Sequence, residues 1–166
     1  NLCCIQEERL KHVPAIQPVK NKDLRTVASG FGWRVDPVYN IQKFHEGMDF
    51  SAEKGTDVFA TGDGKVISSQ WDTGYGQCIV IDHGYGYTTR YAHLSKIIAR
   101  TGKVVKRGEK IGEVGSTGKA TGPHLHYEVH LRGQIQNPAH YYFMDLTPIE
   151  YDEMLQRLEN VGQVMD

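Results

Sequence analysis

Through the middle of this chain apolar and polar residues alternate, the period expected of strands with one covered face. The clearest run is His124–Leu131. Leu125, Tyr127, Val129 and Leu131 fall on one face, and His124, His126, Glu128 and His130 on the other. Thr56–Ala60, Lys65–Gln70, Gln77–Asp82 and Tyr87–His93 are further strand candidates. Glycine turns at Gly62–Gly64, Gly74–Gly76 and Gly84–Gly86 separate them. Every residue of Cys78–Ile81 is apolar, as a strand covered on both faces requires. Val104–Val105 and Lys110–Val114, joined through Arg107-Gly108, read as a small hairpin.

The period changes at both ends. Cys4–His12 suits a short helix, and Pro14 and Pro18 then force an extended path. Near the C-terminus Thr147-Pro148-Ile149-Glu150 is a capping box with proline at the first helical position. Ile149, Met154, Leu155 and Leu158 continue it as an apolar stripe, predicting one helix over about 148–160. The expected organisation is a lead-in over residues 1–24 and a single domain over 25–166. The fold class is mainly β: a compact antiparallel β-sheet domain with a short N-terminal helix and a C-terminal helix.

Composition narrows the function. With 166 residues, 39 % apolar, the chain can bury a core of its own. A net charge of -1 leaves no basic footprint for nucleic acid. No apolar run approaches the roughly 18 residues of a membrane helix. The first residue is Asn1 rather than Met, which fits a piece of a longer protein lacking an upstream export or anchoring segment. Three cysteines without a CxxC spacing argue against thiolate ligands, and Cys78, inside an apolar run, reads as a small buried hydrophobe.

The chemistry therefore rests on histidines and carboxylates in three clusters: His45 with Asp49, His93 alone, and His124 with His126. Two imidazoles and one carboxylate can hold zinc and leave a fourth position open for water. His45 and Asp49 are four apart, and Gly47 between them argues for an extended turn over a helix. That excludes the helical HExxH arrangement and gives Glu46 no catalytic role. His124 and His126 are alternate strand residues about 6.7 Å apart on one face. Glu128 follows on that face and could support a ligand from behind. His130 lies about 13 Å from His126, too far to share a metal, and reads as a solvated surface residue. By alternation His93 shares its face with Tyr91 and Thr89. His12, His83 and His140 have no partner at a usable spacing. Spacing alone does not decide which members of the three clusters touch the metal.

The strings F-H-E-G-M-D-F, R-Y-A-H-L-S and G-S-T-G-K-A-T-G-P-H-L-H-Y-E-V resemble the signatures of the lysostaphin-type, or LytM-like, zinc endopeptidases, and S-G-F-G-W-R-V-D-P and I-Q-N-P are similar to it too. The resemblance runs from about Ser29 to Pro138. It implies the duplicated-hybrid-motif fold and one Zn2+ ion held by His45, Asp49 and His126. It implies catalytic roles for His93 and His124, and cleavage of peptide bonds in peptidoglycan stem peptides or crosslinks. It also implies a bacterial cell-envelope location, periplasmic or extracellular; the domain itself is expected to be soluble, and the Asn1 start leaves room for a membrane tether in an upstream segment. The start Gly30-Phe31-Gly32-Trp33-Arg34 resembles exported Gram-negative members more than staphylococcal glycylglycine cleavers. Some relatives are non-catalytic wall-binding or amidase-activating modules; all five positions are present here, so activity is expected. Arg34, Tyr39 and Tyr91 are candidates for the substrate groove. A phosphocarrier or lipoyl-like β-domain, suggested by the segment Val105–Gly112, would leave Asp49 without a purpose.

Overall fold

The computed structural model describes residues 2–21, 27–35, 39–144 and 146–160. In chain order the elements are α1 (Leu2–His12), β1 (Val27–Ser29), β2 (Gly32–Val35), β3 (Gln42–His45), β4 (Met48–Ser51), β5 (Asp57–Phe59), β6 (Gly64–Asp72), β7 (Gly76–Gly84), β8 (Tyr87–Ile97), β9 (Val104–Val105), β10 (Lys110–Val114), β11 (His124–Leu131) and β12 (Gln134–Gln136). A 3₁₀ helix (Pro138–Met144) and α2 (Pro148–Asn160) follow. The mainly antiparallel β architecture with a helix at each end is the one expected. The proposed boundary at residue 24 lies outside the described residues, as do Arg25 and the Asp36-Pro37 end of the upstream motif.

A ten-stranded sheet runs β1-β4-β11-β8-β7-β6-β9, with β12 on β11 and β10 tied to both β5 and β8; β2 and β3 form a separate two-stranded ribbon. All these pairings are antiparallel. One face of the sheet carries the core, with Met48, Phe50, Ile79, Ile81, Tyr91, Leu125, Tyr127 and Val129 fully buried. Two of those side chains bring hydroxyls inside, and both are satisfied. Tyr127 donates to Thr61 Oγ1 at 2.8 Å, and Tyr91 Oη lies within hydrogen-bond distance of Thr89 Oγ1 at 2.9 Å and accepts from the Thr61 amide at 3.1 Å. Tyr91 is thus a core residue, and its candidacy for the groove is withdrawn.

The hairpin expected across Arg107-Gly108 does not form. β9 pairs with β6 (Gly64↔Val105), whereas β10 pairs with β5 and β8. The reason is burial: Ile111, Gly112 and Val114 are covered, so β10 needs neighbours on both edges, which exposed Val104 cannot supply. The turn itself is used differently. The Arg107 guanidinium donates to the carbonyls of Leu10 (2.5 Å) and Val13 (2.6 Å), satisfying the end of α1, and to Thr61 O at 3.2 Å. The lead-in is therefore fastened to the sheet although no residue of α1 is buried. At the other end the capping box forms as expected. The Thr147 amide donates to Glu150 Oε1 at 3.0 Å and the Glu150 amide to Thr147 Oγ1 at 3.2 Å. Met154 anchors α2 in the core.

Candidate metal centre

The face of the sheet opposite the core carries the histidines. Across the β4–β11 pair, His126 stands opposite Asp49 and His124 opposite Ser51, so these four polar side chains point the same way. Met48 and Phe50, on either side of Asp49, point into the core. Gly47 lets β4 start this close to β11: a Cβ there would collide with the Tyr127 backbone carbonyl. His45 reaches the same place from the end of β3, joining β4 through the extended turn that Gly47 predicted.

Three donor atoms converge. His126 Nδ1 lies 3.0 Å from Asp49 Oδ1, His45 Nε2 lies 3.2 Å from the same oxygen, and the two nitrogens are 3.3 Å apart. The opposite ring nitrogens fix the tautomers. His45 Nδ1–H donates to the Gly30 carbonyl at 2.8 Å, and His126 Nε2–H donates to Glu128 Oε2 at 2.7 Å. Each ring therefore turns an unprotonated lone pair toward Asp49. Three acceptor atoms facing one another call for a cation, and tetrahedral zinc with ligands near 2.05 Å has an edge of about 3.3 Å. The donor set and its spacing fit that ion. Exposures of 4 %, 0 % and 3 % for His45, Asp49 and His126 place the triangle out of bulk water.

His93 arrives by an unexpected route. Tyr91 stands opposite the core residue Tyr127 and Ala92 opposite His126, so regular alternation would send His93 into the core beside Tyr91. Instead β8 carries an extra residue against β7, where Ile79 pairs with Tyr91 and Gln77 with Leu94, and His93 adopts φ 61°. That left-handed conformation is uncommon for a residue with a Cβ. It throws the imidazole onto the site face, 4.7 Å ring to ring from His124 and 6.1 Å from His126. The expected shared face with Tyr91 and Thr89 is corrected accordingly.

Both of these histidines are anchored through Nδ1. His93 Nδ1–H donates to Thr117 O at 2.8 Å and His124 Nδ1–H to Gly122 O at 2.9 Å. In the neutral form of each ring this leaves Nε2 as the acceptor. That of His124 is 3.8 Å from Asp49 Oδ1, outside the triangle that His126 completes. The His93 amide donates to Tyr75 O at 2.7 Å. The turn bearing Tyr75 packs on the loop bearing Thr117 through Gly76 and Gly118, whose backbones touch so closely that a Cβ on either would collide with the other.

Beside the triangle lies a cavity of about 220 Å³, bounded by Phe44, Tyr75 and Glu128 with Lys43 and Glu46 at its mouth. Two other cavities, of about 300 and 380 Å³, contain none of the five residues. Glu128 is 1 % exposed. Burial pushes its carboxyl up, but hydrogen bonds from His126, His130 and Tyr75 outweigh this and hold it well below the usual carboxylate range. His130 is no solvated surface residue: it is half-buried, and its Nε2–H donates to Glu128 Oε1 at 2.8 Å. Arg34 braces its own turn, donating to Trp33 O (3.1 Å) and Phe31 O (3.2 Å), and Tyr39 is 74 % exposed. His83 has partners after all: its Nδ1–H donates to Asp63 O at 2.9 Å, and its Nε2 accepts from Thr89 Oγ1 at 2.7 Å. His12 meets the same Asp63 carbonyl at 3.1 Å. Tyr75 escaped sequence reasoning, since an aromatic residue in a glycine turn has no period to give it a face.

Residues 43–138 match the sequence profile of peptidase family M23. The chain is 45 % identical over 113 residues to the DD-carboxypeptidase/endopeptidase Mpg of Neisseria meningitidis serogroup B, covering 68 % of this chain and 26 % of that protein. It is 46 % identical over 104 residues to the peptidoglycan DD-endopeptidase ShyA of Vibrio cholerae, covering 63 % and 24 %. The chain thus spans about a quarter of the length of these relatives. Among solved structures it is similar to a zinc-containing peptidase from Vibrio cholerae, with a TM-score of 0.67 at 41 % identity over 78 % of this chain and 39 % of that one. The catalytic domain of lysostaphin from Staphylococcus simulans gives 0.63 at 32 % identity, over 75 % and 98 %.

Proposed function

The chain belongs to peptidase family M23, and from that premise we propose that it is a zinc-dependent endopeptidase that hydrolyses peptide bonds in peptidoglycan. The observation that carries this reading is the Asp49–His45–His126 triangle, in which both imidazoles are locked with their lone pairs facing one carboxylate oxygen. In this reading those three residues hold the ion, and His93 and His124 are catalytic. Zinc, when bound, supplies Lewis acidity that polarises a carbonyl and brings the pKa of water to about 7.

The chain's own residues do the rest. The substrate carbonyl enters from the cavity walled by Phe44 and Tyr75. His93 and His124 stand side by side against the triangle, each with Nδ1 tied to a backbone carbonyl and Nε2 left to exchange a proton. One accepts the proton of the attacking water and delivers it to the departing amine; the other, in its protonated form, donates to the tetrahedral oxyanion. The names of the relatives support the D,D-peptide bond of crosslinks as the target and the cell envelope as the place of action. A non-catalytic wall-binding module would need neither the anchored pair nor the strained backbone at His93.

The test is digestion of purified crosslinked muropeptide dimers, read by mass spectrometry, with zinc measured in the same samples. Wild-type protein is expected to carry one zinc and release monomers. His93→Ala and His124→Ala are each expected to lose at least about 100-fold in turnover with zinc retained. His45→Ala is expected to lose the metal. Full cleavage by either His93→Ala or His124→Ala with zinc bound, or stoichiometric zinc in His45→Ala, overturns the assignment.

A further inference from the structure

The wall of the cavity contains a polar network that the hydrolytic scheme does not use. Its centre is Glu128, two residues beyond His126 on the same strand face and almost fully buried. Oε2 accepts from His126 Nε2–H at 2.7 Å and from the Tyr75 hydroxyl at 2.9 Å. Oε1 accepts from His130 Nε2–H at 2.8 Å, and Arg90 Nε stands 3.8 Å away. Arg90 lies 4.5 Å over the Tyr75 ring and is held from the far side by Asp72 at 2.8 Å. Glu128 meets His126 on the nitrogen remote from Asp49, so it lies behind the ligand and away from the reacting atoms.

We propose that Glu128 and Tyr75 are positioning residues for the metal centre: Glu128 holds His126 in its ligating tautomer, and Tyr75 holds Glu128 while joining it to the backbone that carries His93. The inference rests on the zinc reading above and adds residues to it. If His126 carried its proton on Nδ1, an N–H would point at the space a metal needs. A carboxylate on the opposite nitrogen makes that tautomer unfavourable and strengthens the ligating nitrogen as a base. Tyr75 acts at two points. Its hydroxyl fixes one Glu128 oxygen, and its main-chain carbonyl accepts the amide of His93 at 2.7 Å. The ligand and the proton-handling residue are thereby referred to one residue, and their separation does not depend on sheet geometry alone. Neither Tyr75 nor Glu128 needs to touch the scissile bond for this.

Metal affinity tests the idea independently of cleavage. Apo protein is titrated with zinc against a chromophoric chelator, and with cobalt to read the ligand-field spectrum. Glu128→Gln is expected to weaken zinc binding about 10–100-fold. Tyr75→Phe, a loss of one hydroxyl at a half-exposed turn, is expected to weaken it severalfold and to lower kcat with KM unchanged. Glu128→Asp, which keeps the charge but withdraws the oxygens, is expected to recover part of the loss in Glu128→Gln. Zinc affinity within twofold of wild type in both Glu128→Gln and Tyr75→Phe, with unaltered cobalt spectra, overturns the inference while leaving the zinc reading intact. Wild-type protein that binds no zinc overturns both.

Discussion

At the scale of single residues, identical side chains do different work according to what their second polar atom touches. His45, His93 and His124 are each tied by Nδ1 to a backbone carbonyl, and His126 by Nε2 to a carboxylate. His83 is spent entirely on structure. The tyrosines divide in the same way. Tyr75 lines the cavity, whereas Tyr91 is fully buried with its hydroxyl among Thr61 and Thr89. Tyr91→Phe therefore leaves the Thr61 amide and hydroxyl short of a partner in the core. It should cost about 1–2 kcal/mol in denaturant unfolding and leave KM for muropeptide unchanged. A raised KM at unaltered stability would return Tyr91 to the groove.

At the scale of elements, the site depends on where strands break their own rule. The clasp between Gly76 and Gly118 presses the Tyr75 turn onto the Thr117 loop, and the two together supply both carbonyls that hold His93. Gly118 has φ 75°, so Gly118→Ala meets an unfavourable backbone as well as a collision with Gly76. The variant should weaken zinc binding at most severalfold, as Tyr75→Phe does, but lose about 10–100-fold in kcat, because His93 is displaced while the triangle stays. Parallel zinc titration and steady-state kinetics decide it: equal loss in both would mean the clasp supports the whole sheet. What could be read in advance follows the same division. The alternation of His124–Leu131 and the box at Thr147–Glu150 are local patterns that tertiary structure leaves alone, and both appear as expected. The face of His93 could not be read, because a single inserted residue reverses the alternation and nothing in R-Y-A-H-L-S marks the bulge. β1 to β4 are three or four residues each, too short to show a period, and the neighbours of β10 were decided by burial from two sides.

At the scale of the molecule, the Asp63 carbonyl is one of the places where α1 meets the sheet. Asp63 O accepts from His83 Nδ1–H at 2.9 Å and lies 3.1 Å from His12 Nδ1, while the Asp63 amide donates to Lys11 O at 2.8 Å. Burial pushes the His83 pKa down to about 4 from an ordinary 6.5, with hydrogen bonding to Asp63 O opposing it only in part. A depressed histidine pKa means that the unfolded chain binds a proton the folded chain refuses. The stability contribution is therefore complete above pH 6.5 and is lost as pH falls through the window from 6.5 to 4. Integrated over that window, the loss reaches about 3 kcal/mol at pH 4. Glu128 is held below the ordinary carboxylate range, so its own loss on acidification falls at lower pH. His83→Gln keeps a donor for Asp63 and an acceptor for Thr89 but cannot titrate. Denaturant unfolding of the apo protein at pH 7, 6, 5 and 4 should give wild-type stabilities that fall steadily and His83→Gln stabilities that fall by about 3 kcal/mol less. Parallel curves for the two proteins would show that His83 is protonated without cost, and that the contact between the lead-in and the sheet does not depend on its neutral form.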